Sequence, residues 1–399
     1  MNNDNILAAF GGKPVRDSYL PYGRQWLDQD DICAVLNVLK GEYLTTGPVI
    51  SQFEKEIARY VGAKYAVTFS SGTAALHGAC FAAGIASGDE VIVPALTFAA
   101  SANCVLYQGG KPVFADIDPQ TYNVAPGSIQ KLITKNTKAI IPVDFTGQPV
   151  EHDRIQEIAG KYNLVIIEDA AHALGASYKG QKIGSISDMT MFSFHPVKHI
   201  TAGEGGVITT NNKMFYDKLV QFRTHGITRE RERLKKNHGP WYYEMHFLGY
   251  NYRMTDFQAA LGISQLKKLE LFLQKRTLYA EKYMEALQNI KQINLPHQKE
   301  GAVSSWHLFV IRVNLNRLFA GRKEIFEALQ KENIGVNVHY LPVYLHPYYC
   351  ELGYQPGLCP NAEQIYESII TLPLFPAMSS GDLSDVIKAV KKVLGYFSH

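Results

Sequence analysis

The chain has 399 residues, of which 46% are apolar and 19% are charged, and this length allows one large and one smaller domain, each with its own core. A formal net charge of +3 argues against a nucleic-acid partner, and the absence of any run of about 18 apolar residues argues against a membrane span. A polar start without signal-peptide character, and five cysteines without a C-x-x-C pair, predict a cytoplasmic protein with neither disulfides nor a metal site.

The chain opens with a loop-like segment, residues 1–25, and a large domain is predicted over residues 26–254. From about residue 50 to 210, short β-rich runs alternate with helical patterns, which is typical of an α/β fold with a mainly parallel sheet. The seven predicted strands are residues 65–70, 90–94, 112–116, 139–144, 164–168, 189–194 and 206–210. The helical patterns between them are residues 74–86, 99–108, 129–134 and 153–162. A sheet of this kind binds ligands beyond the carboxyl ends of its strands.

The C-terminal part, residues 255–399, is predicted to form a linking helix and a small α+β domain. Thr255 can cap one long helix from residue 256 towards 290, roughly 50 Å long. The remaining predicted elements are a strand at 306–313, a helix at 322–331, a strand at 335–340 and a final helix at 383–394.

The first candidate catalytic residue is a lysine that follows the sixth predicted strand. Lys198 stands between His195 and His199, ahead of a glycine-rich turn. Burial and nearby positive charge would lower the pKa of its amine, which makes it a candidate for a Schiff base with an aldehyde cofactor. The alternative is a solvated loop lysine. Asp169, at the end of the preceding predicted strand, favours the first interpretation because its carboxylate can meet the ring nitrogen of pyridoxal phosphate (PLP).

A phosphate site is indicated where the first predicted strand runs into a helix. Ser71, Gly72 and Thr73 lie at this junction, where free backbone N–H groups and the helix dipole favour a dianion. A plain helix N-cap is the alternative. Ser193, on the strand that leads to Lys198, can add a further donor. The sequence has neither a G-x-G-x-x-G motif nor a P-loop motif, so the commonest dinucleotide and nucleotide sites lack support.

His172 follows Asp169 by three residues and is expected beside the cofactor ring or its 3-hydroxyl group, although Asp169 could simply cap a helix. Each of these signals is weak alone. Together they require a ligand with a phosphate, a basic ring nitrogen, a flat face and an aldehyde, and PLP has all four.

The motif Ser-Phe-His-x-x-Lys that ends at Lys198, followed by Gly-Glu-Gly-Gly ending at Gly206, resembles the lysine segment of the DegT/DnrJ/EryC1/StrS family of sugar aminotransferases. The resemblance extends over nearly the whole chain. It implies a PLP-dependent transferase of fold type I, like aspartate aminotransferase, that forms a homodimer with shared active sites. It places Phe98 on a face of the cofactor and Asn251 across the dimer interface. The cofactor-binding residues that it implies are Gly72, Thr73, Phe98, Asp169, His172, Ser193, Lys198 and Asn251.

The resemblance is greatest to family members that aminate C4 of a UDP-linked 4-keto-6-deoxy-N-acetylhexosamine, with L-glutamate as donor, for pseudaminic acid synthesis. The sugar-nucleotide contacts that it implies are Tyr22, Thr45, Ser71, Arg229, His339 and Tyr340. Two of these have simpler interpretations, Tyr340 as a strand aromatic and Thr45 as a turn hydroxyl. The basic run 223–236 is either a solvated loop or a flap that brings cations to a diphosphate.

Other functions stay open at this point. The amino acceptor could be another UDP- or dTDP-linked 4-keto-6-deoxy sugar, and the donor could be glutamine. A sugar 3-dehydratase would carry histidine at the position of Lys198, and a desulfurase would need a cysteine in a reactive setting. A non-catalytic nucleotide-sugar-binding protein would have lost Lys198 or Asp169. Both residues are present, which favours the aminotransferase.

Overall fold

The computed structural model describes residues 6–398. Its helices are α1 (Gln29–Leu39), α2 (Pro48–Val61), α3 (Gly72–Ala83), α4 (Ala100–Tyr107), α5 (Pro126–Leu132), α6 (His152–Tyr162), α7 (Lys213–Phe222), α8 (Asp256–Leu266), α9 (Leu269–Leu287), α10 (Arg322–Lys331), α11 (Pro347–Glu351), α12 (Pro360–Tyr366) and α13 (Ser380–Tyr396). Its strands are β1 (Tyr65–Phe69), β2 (Glu90–Pro94), β3 (Lys111–Ala115), β4 (Thr137–Ile140), β5 (Val165–Asp169), β6 (Ser177–Tyr178), β7 (Gln181–Lys182), β8 (Met189–Ser193), β9 (Gly206–Thr210), β10 (Ile227–Thr228), β11 (Glu244–Met245), β12 (Ile293–Asn294), β13 (Ala302–Val303), β14 (Phe309–Val313) and β15 (Ile369–Leu372).

The central sheet has seven strands in the order β1-β9-β8-β5-β4-β2-β3. Strands β8, β5, β4, β2 and β3 pair in parallel, and only β9 runs against its neighbours β1 and β8. The predicted seven-stranded, mainly parallel sheet is therefore confirmed. Its strands are apolar on both faces because helices cover both sides.

One strand of this sheet is shorter than predicted. Strand β4 ends at Ile140, whereas the pattern predicted a strand through residue 144. Pro142 has no N–H group and cannot donate to a ladder, so the regular pairing stops before it. The chain then continues beside the end of β5 through one isolated parallel bridge between Val143 and Asp169, with hydrogen bonds from Asp169 N to Pro142 O (2.9 Å) and from Asp144 N to Asp169 O (3.1 Å).

The predicted long linking helix is wrong in one respect, because it is two helices, α8 and α9. The capping of α8 by Thr255 is as expected, with Gln258 completing a capping box. The break lies at Lys267 and Lys268. Neither residue is a glycine or a proline, so the local sequence does not predict the break. The side chain of Lys268 forms ion pairs there with Asp28, the N-cap residue of α1, and with Asp31 in the first turn of α1. A long-range contact therefore accompanies the break.

The predicted strand at residues 335–340 is also wrong. This stretch makes only isolated bridges, between Ile334 and Leu20 and between Asn337 and Thr371, and the small sheet has the order β12-β14-β15. The strand predicted to begin at residue 306 begins at Phe309, because Trp306 has a left-handed φ of 50° that a strand cannot contain. Segment 335–340 instead runs into the site described below.

The N-terminal segment packs against the small C-terminal part of the chain. The backbone N–H groups of Ala8 and Val15 donate to the buried carboxylate of Glu332, at 2.9 and 2.8 Å. Arg16 pairs with Asp382 and Asp385 at the start of α13. These partners lie more than 300 residues away, so sequence patterns could not reveal them. The division into residues 1–25, 26–254 and 255–399 stays a prediction.

The five cysteines are free thiols. Among residues 6–398, every helix is too short or too polar to cross a membrane. The cytoplasmic location stays a prediction.

Candidate active site

The carboxyl ends of the parallel strands open into a cavity of about 560 Å³. Strand β9 is antiparallel to both of its neighbours, β1 and β8, so β1 and β8 run in the same direction. The carboxyl end of β1 therefore lies at the same edge of the sheet. The loops and helix N-termini that follow these strands therefore converge here, as expected for such a sheet. The predicted site residues that line the cavity are Tyr22, Ser71, Gly72, Thr73, Phe98, Asp169, His172, Ser193, Lys198, His339 and Tyr340.

Lys198 lies in the loop between β8 and β9. Backbone hydrogen bonds close this loop, from Phe194 N to Gly205 O (2.9 Å) and from Lys198 N to His195 O (2.9 Å). Burial lowers the pKa of the Lys198 amine from 10.5 to about 8, and the nearby Asp169 carboxylate offsets only part of this effect. A substantial fraction of the amine is therefore neutral near physiological pH, which a nucleophile or a general base requires.

Asp169 ends strand β5 and is buried. Its two carboxylate oxygens have different donors. The hydroxyl of Ser101 donates to Oδ2 at 2.6 Å, and the backbone N–H of Ala171 donates to Oδ1 at 3.1 Å. Burial raises the pKa of this carboxyl group, while the two hydrogen bonds and the Lys198 amine act in the opposite direction.

The N-terminus of α3 is the candidate anion site and is closely surrounded. Ser71 caps the helix, with its Oγ accepting from Ala74 N at 3.1 Å, so the plain N-cap interpretation is correct for this side chain. The first N–H groups of a helix have no partner within the helix and point outward, where the dipole favours an anion. Gly72 leaves the approach open, since a Cβ on it would lie 3.2 Å from Ser193 Cβ. Gly206 is required as well, because a Cβ there would lie 2.5 Å from Ser71 O.

Aromatic and imidazole rings form the other walls of the cavity. Phe98 is 58% exposed, and its ring centroid lies 6.0 Å from that of Tyr340. The Tyr340 hydroxyl lies 3.3 Å from His172 Nε2. Burial lowers the pKa of His172 well below its usual range and that of His339 to about 3, so both imidazoles are neutral. Neither imidazole therefore adds a positive charge to the site that contains Lys198.

Three predicted residues do not line the cavity of their own chain. Thr45 forms an isolated bridge with Thr255, and Asn251 forms one with Thr224. Arg229 lies over the ring of Tyr243, with its Cζ atom 5.5 Å from the ring centroid.

The basic run 223–236 contains arginines with partners inside the chain. Arg223 pairs with Glu54 and also donates to Thr68 O at 2.7 Å. Arg233 pairs with Asp217 and Glu230 at 2.7 and 2.8 Å. These two guanidinium groups are accounted for by structural contacts. The flap interpretation of the run stays a prediction.

Three residues that were not predicted as site residues belong to the site or its surroundings: Thr97 lines the cavity, and Ser101 and His307 contact side chains that line it. Thr97 and Ser101 surround Phe98 at the end of β2, at the i, i+4 spacing that brings two side chains together on a helical turn. His307 packs against His172 with ring centroids 4.4 Å apart. Thr97 and Ser101 could have been found from their spacing. His307 could not, because it lies 135 residues from its partner.

Comparison with known proteins identifies the class. The DegT/DnrJ/EryC1/StrS aminotransferase family matches residues 25–391, and the chain belongs to this family. It is 41% identical over 381 residues to the spore coat polysaccharide biosynthesis protein SpsC of Bacillus subtilis, covering 95% of this chain and 98% of that protein. The protein is therefore a PLP-dependent sugar aminotransferase of fold type I.

Two solved structures are similar over nearly their whole length. Helicobacter pylori PseC, an aminotransferase involved in the biosynthesis of pseudaminic acid, is 34% identical with a TM-score of 0.89, covering 95% of this chain and 100% of that one. The putative sugar aminotransferase Spr1654 of Streptococcus pneumoniae, in its pyridoxamine phosphate form, is 33% identical with a TM-score of 0.88, covering 94% of this chain and 98% of that one. Spr1654 has also been solved in a PLP form.

The residues in the cavity fit PLP. The anion site that glycine keeps open at α3 suits a phosphate, and the buried Asp169 carboxylate suits a protonated ring nitrogen. The buried Nδ1 of His172 has no hydrogen-bond partner within the described chain, so this ring is available to a ligand. PLP, when bound, supplies the aldehyde that carries the amino group and a ring that withdraws electrons from the reacting carbon.

Proposed function

We propose that this enzyme transfers the amino group of L-glutamate to C4 of a UDP-linked 4-keto-6-deoxy-N-acetylhexosamine. The product would be UDP-4-amino-4,6-dideoxy-N-acetyl-β-L-altrosamine, for pseudaminic acid synthesis. The observation that carries the chemistry is that Lys198, Asp169 and the anion site at α3 line one cavity. The match to PseC over the whole of its chain supports the choice of sugar.

Each residue has a proposed task. Lys198 holds the cofactor and, as general base and acid through its Nζ, moves the proton released at the substrate carbon. Asp169 keeps the ring nitrogen protonated. Helix α3 binds the phosphate through the N–H groups of Gly72 and Thr73, assisted by Ser193. His172 and Phe98 fix the ring plane.

The sugar nucleotide would enter from the side of segment 335–340. Tyr22, Ser71, His339 and Tyr340 line the cavity and are its proposed contacts within the chain. Thr45, Arg229 and Asn251 would complete the site of a partner subunit in a homodimer.

A complementation experiment tests the shared site. In a mixture of Lys198→Ala and Asn251→Asp chains, a hybrid dimer has one site with both lesions and one site with neither. If Asn251 acts across the interface, activity should recover to as much as half of the wild-type value per hybrid dimer. No recovery, in a mixture proven to contain hybrids, would place Asn251 with its own chain's lysine or outside the site.

The assignment of Lys198 has its own test. Lys198→Ala should abolish turnover and the yellow colour of the bound cofactor while the protein stays folded, because the attachment point and the proton carrier are lost together. Lys135→Ala, at an exposed loop lysine in the same part of the chain, is the matched control and should behave as wild type. Normal turnover of Lys198→Ala would refute the assignment.

A second candidate acceptor is another nucleotide-linked 4-keto-6-deoxy sugar, since the chain is also 41% identical to SpsC, which takes part in the biosynthesis of a different product, a spore coat polysaccharide. A panel of UDP- and dTDP-linked 4-keto-6-deoxy sugars, assayed with glutamate and with glutamine, decides between them. We expect the UDP-linked N-acetylhexosamine with glutamate to give the highest kcat/KM. A dTDP sugar that reacts faster would overturn the proposed substrate and leave the reaction class intact.

A further inference from the structure

The carboxylate of Asp169 is held by a short chain of buried hydroxyl groups. Ser101 is fully buried near the start of α4, and its Oγ lies 2.6 Å from Asp169 Oδ2. The hydroxyl of Thr97, also buried, lies 2.8 Å from Ser101 Oγ. Both hydroxyls follow β2, whereas Asp169 ends β5, so the contact joins two strand ends of the sheet.

The direction of this chain follows from counting protons. A carboxylate accepts and does not donate, so the single hydroxyl proton of Ser101 is committed to Asp169. Ser101 Oγ can then only accept from Thr97, whose hydroxyl must be the donor. Donors aligned in this way strengthen one another, and a hydrogen bond to a charged acceptor is about twice as strong as a neutral one.

The chain matters because burial alone would favour the protonated, neutral form of Asp169. A neutral carboxyl group could not hold a positive charge on a ring nitrogen beside it. The two oxygens also have separate donors, Ser101 on Oδ2 and Ala171 N on Oδ1. This arrangement prevents the carboxylate from rotating and leaves its remaining lone pairs for a ligand, since an ionised carboxylate offers about four acceptor sites.

We propose that Ser101, oriented by Thr97, is the positioning residue that keeps Asp169 ionised and directed at the ring nitrogen of PLP. The inference rests on the proposed role of Asp169. Ser101 does not touch the cofactor itself. It acts through the carboxylate, so its removal should change the state of the ring nitrogen before it changes the fold.

The experiment uses holoenzyme loaded with PLP that carries ¹⁵N in its ring. In Ser101→Ala the ring ¹⁵N resonance should move downfield, towards the unprotonated nitrogen. The Kd for PLP should rise by at most roughly 10-fold, because the Ser101–Asp169 hydrogen bond exists with and without PLP and only the lost orientation and charge of Asp169 affect binding. Thr97→Val should move the resonance in the same direction by less. The buried Ser187, outside the cavity, provides a matched control, and Ser187→Ala should leave the resonance unchanged.

The variant Asp169→Asn distinguishes a failure of the proposed role of Ser101 from a failure of the proposed role of Asp169. If the ring resonance moves in Asp169→Asn but stays at the wild-type position in a folded Ser101→Ala holoenzyme, the role of Ser101 is wrong and that of Asp169 stands. If Asp169→Asn also leaves the resonance unchanged, Asp169 is not the partner of the ring nitrogen, and the proposed site fails with it.

Discussion

The buried amine of Lys198 should make the cofactor-free protein less stable than a variant without it. Burial lowers the pKa of this amine from 10.5 to about 8. At about 1.4 kcal/mol for each unit of pKa, this difference corresponds to roughly 3 kcal/mol of lost stability while the amine is charged. Because the amine also faces the cavity, the value is an upper bound. Lys198→Met, which keeps an unbranched side chain one atom shorter and without the charge, should recover up to this amount at pH 7.

The stability difference between the wild type and Lys198→Met should change with pH in a defined direction. Well below pH 8 the amine is charged in the folded and the unfolded protein, so nearly the full cost is present. Between pH 8 and 10.5 the unfolded chain binds more protons than the folded one, and the stability of the wild type therefore rises relative to that of Lys198→Met. Above pH 10.5 both states are neutral and the difference due to charge disappears.

The assay is urea unfolding of both proteins after the cofactor has been removed, at pH 7 and at pH 10. The urea midpoint of Lys198→Met should exceed that of the wild type at pH 7, and the gap should narrow at pH 10. Lys135→Met removes an exposed lysine and should show no such narrowing. A gap that is absent at pH 7, or that widens with pH, would refute the conclusion that Lys198 is held in a desolvated position.

Three further changes test other parts of the structure. Gly72→Ala would place a Cβ 3.2 Å from that of Ser193 and should weaken PLP retention during gel filtration; full retention would contradict a closely surrounded phosphate site. Arg276→Met leaves three buried carbonyl acceptors without their shared donor. It should lower the free energy of unfolding, measured in urea, by about 3 kcal/mol. An unchanged free energy of unfolding would show that water or neighbouring groups replace the guanidinium donor. Glu332→Gln loses one of the two carboxylate oxygens that accept from Ala8 N and Val15 N, and it should speed proteolysis within residues 6–25 roughly tenfold. Equal cleavage rates would mean that the other contacts of this segment, such as the ion pairs of Arg16, are enough to hold it.

Part of the candidate site could be predicted from the sequence because its residues lie at the ends of strands. Asp169 and Ser193 end apolar runs, and Gly72 follows one, so a period-2 or continuous apolar pattern was enough to place them at one edge of a sheet. The same pattern could not show that Pro142 shortens β4, although the missing N–H group was in view. It also could not show that segment 335–340 leaves the sheet and lines the cavity.

The sequence by itself determined the order along the chain of the seven sheet strands and of the four helices between them, and the chemical types at the strand ends, because these depend on local periodicity and on the residue at each boundary. Helices α1, α2 and α7 were not predicted. Only the tertiary structure decided what each side chain meets. The contact of Ser101 with Asp169 spans 68 residues and that of Ala8 with Glu332 spans 324. Burial, which lowers the pKa of Lys198, is likewise a property of the folded surroundings. Such contacts leave no periodic trace, since they arise only when distant segments fold together.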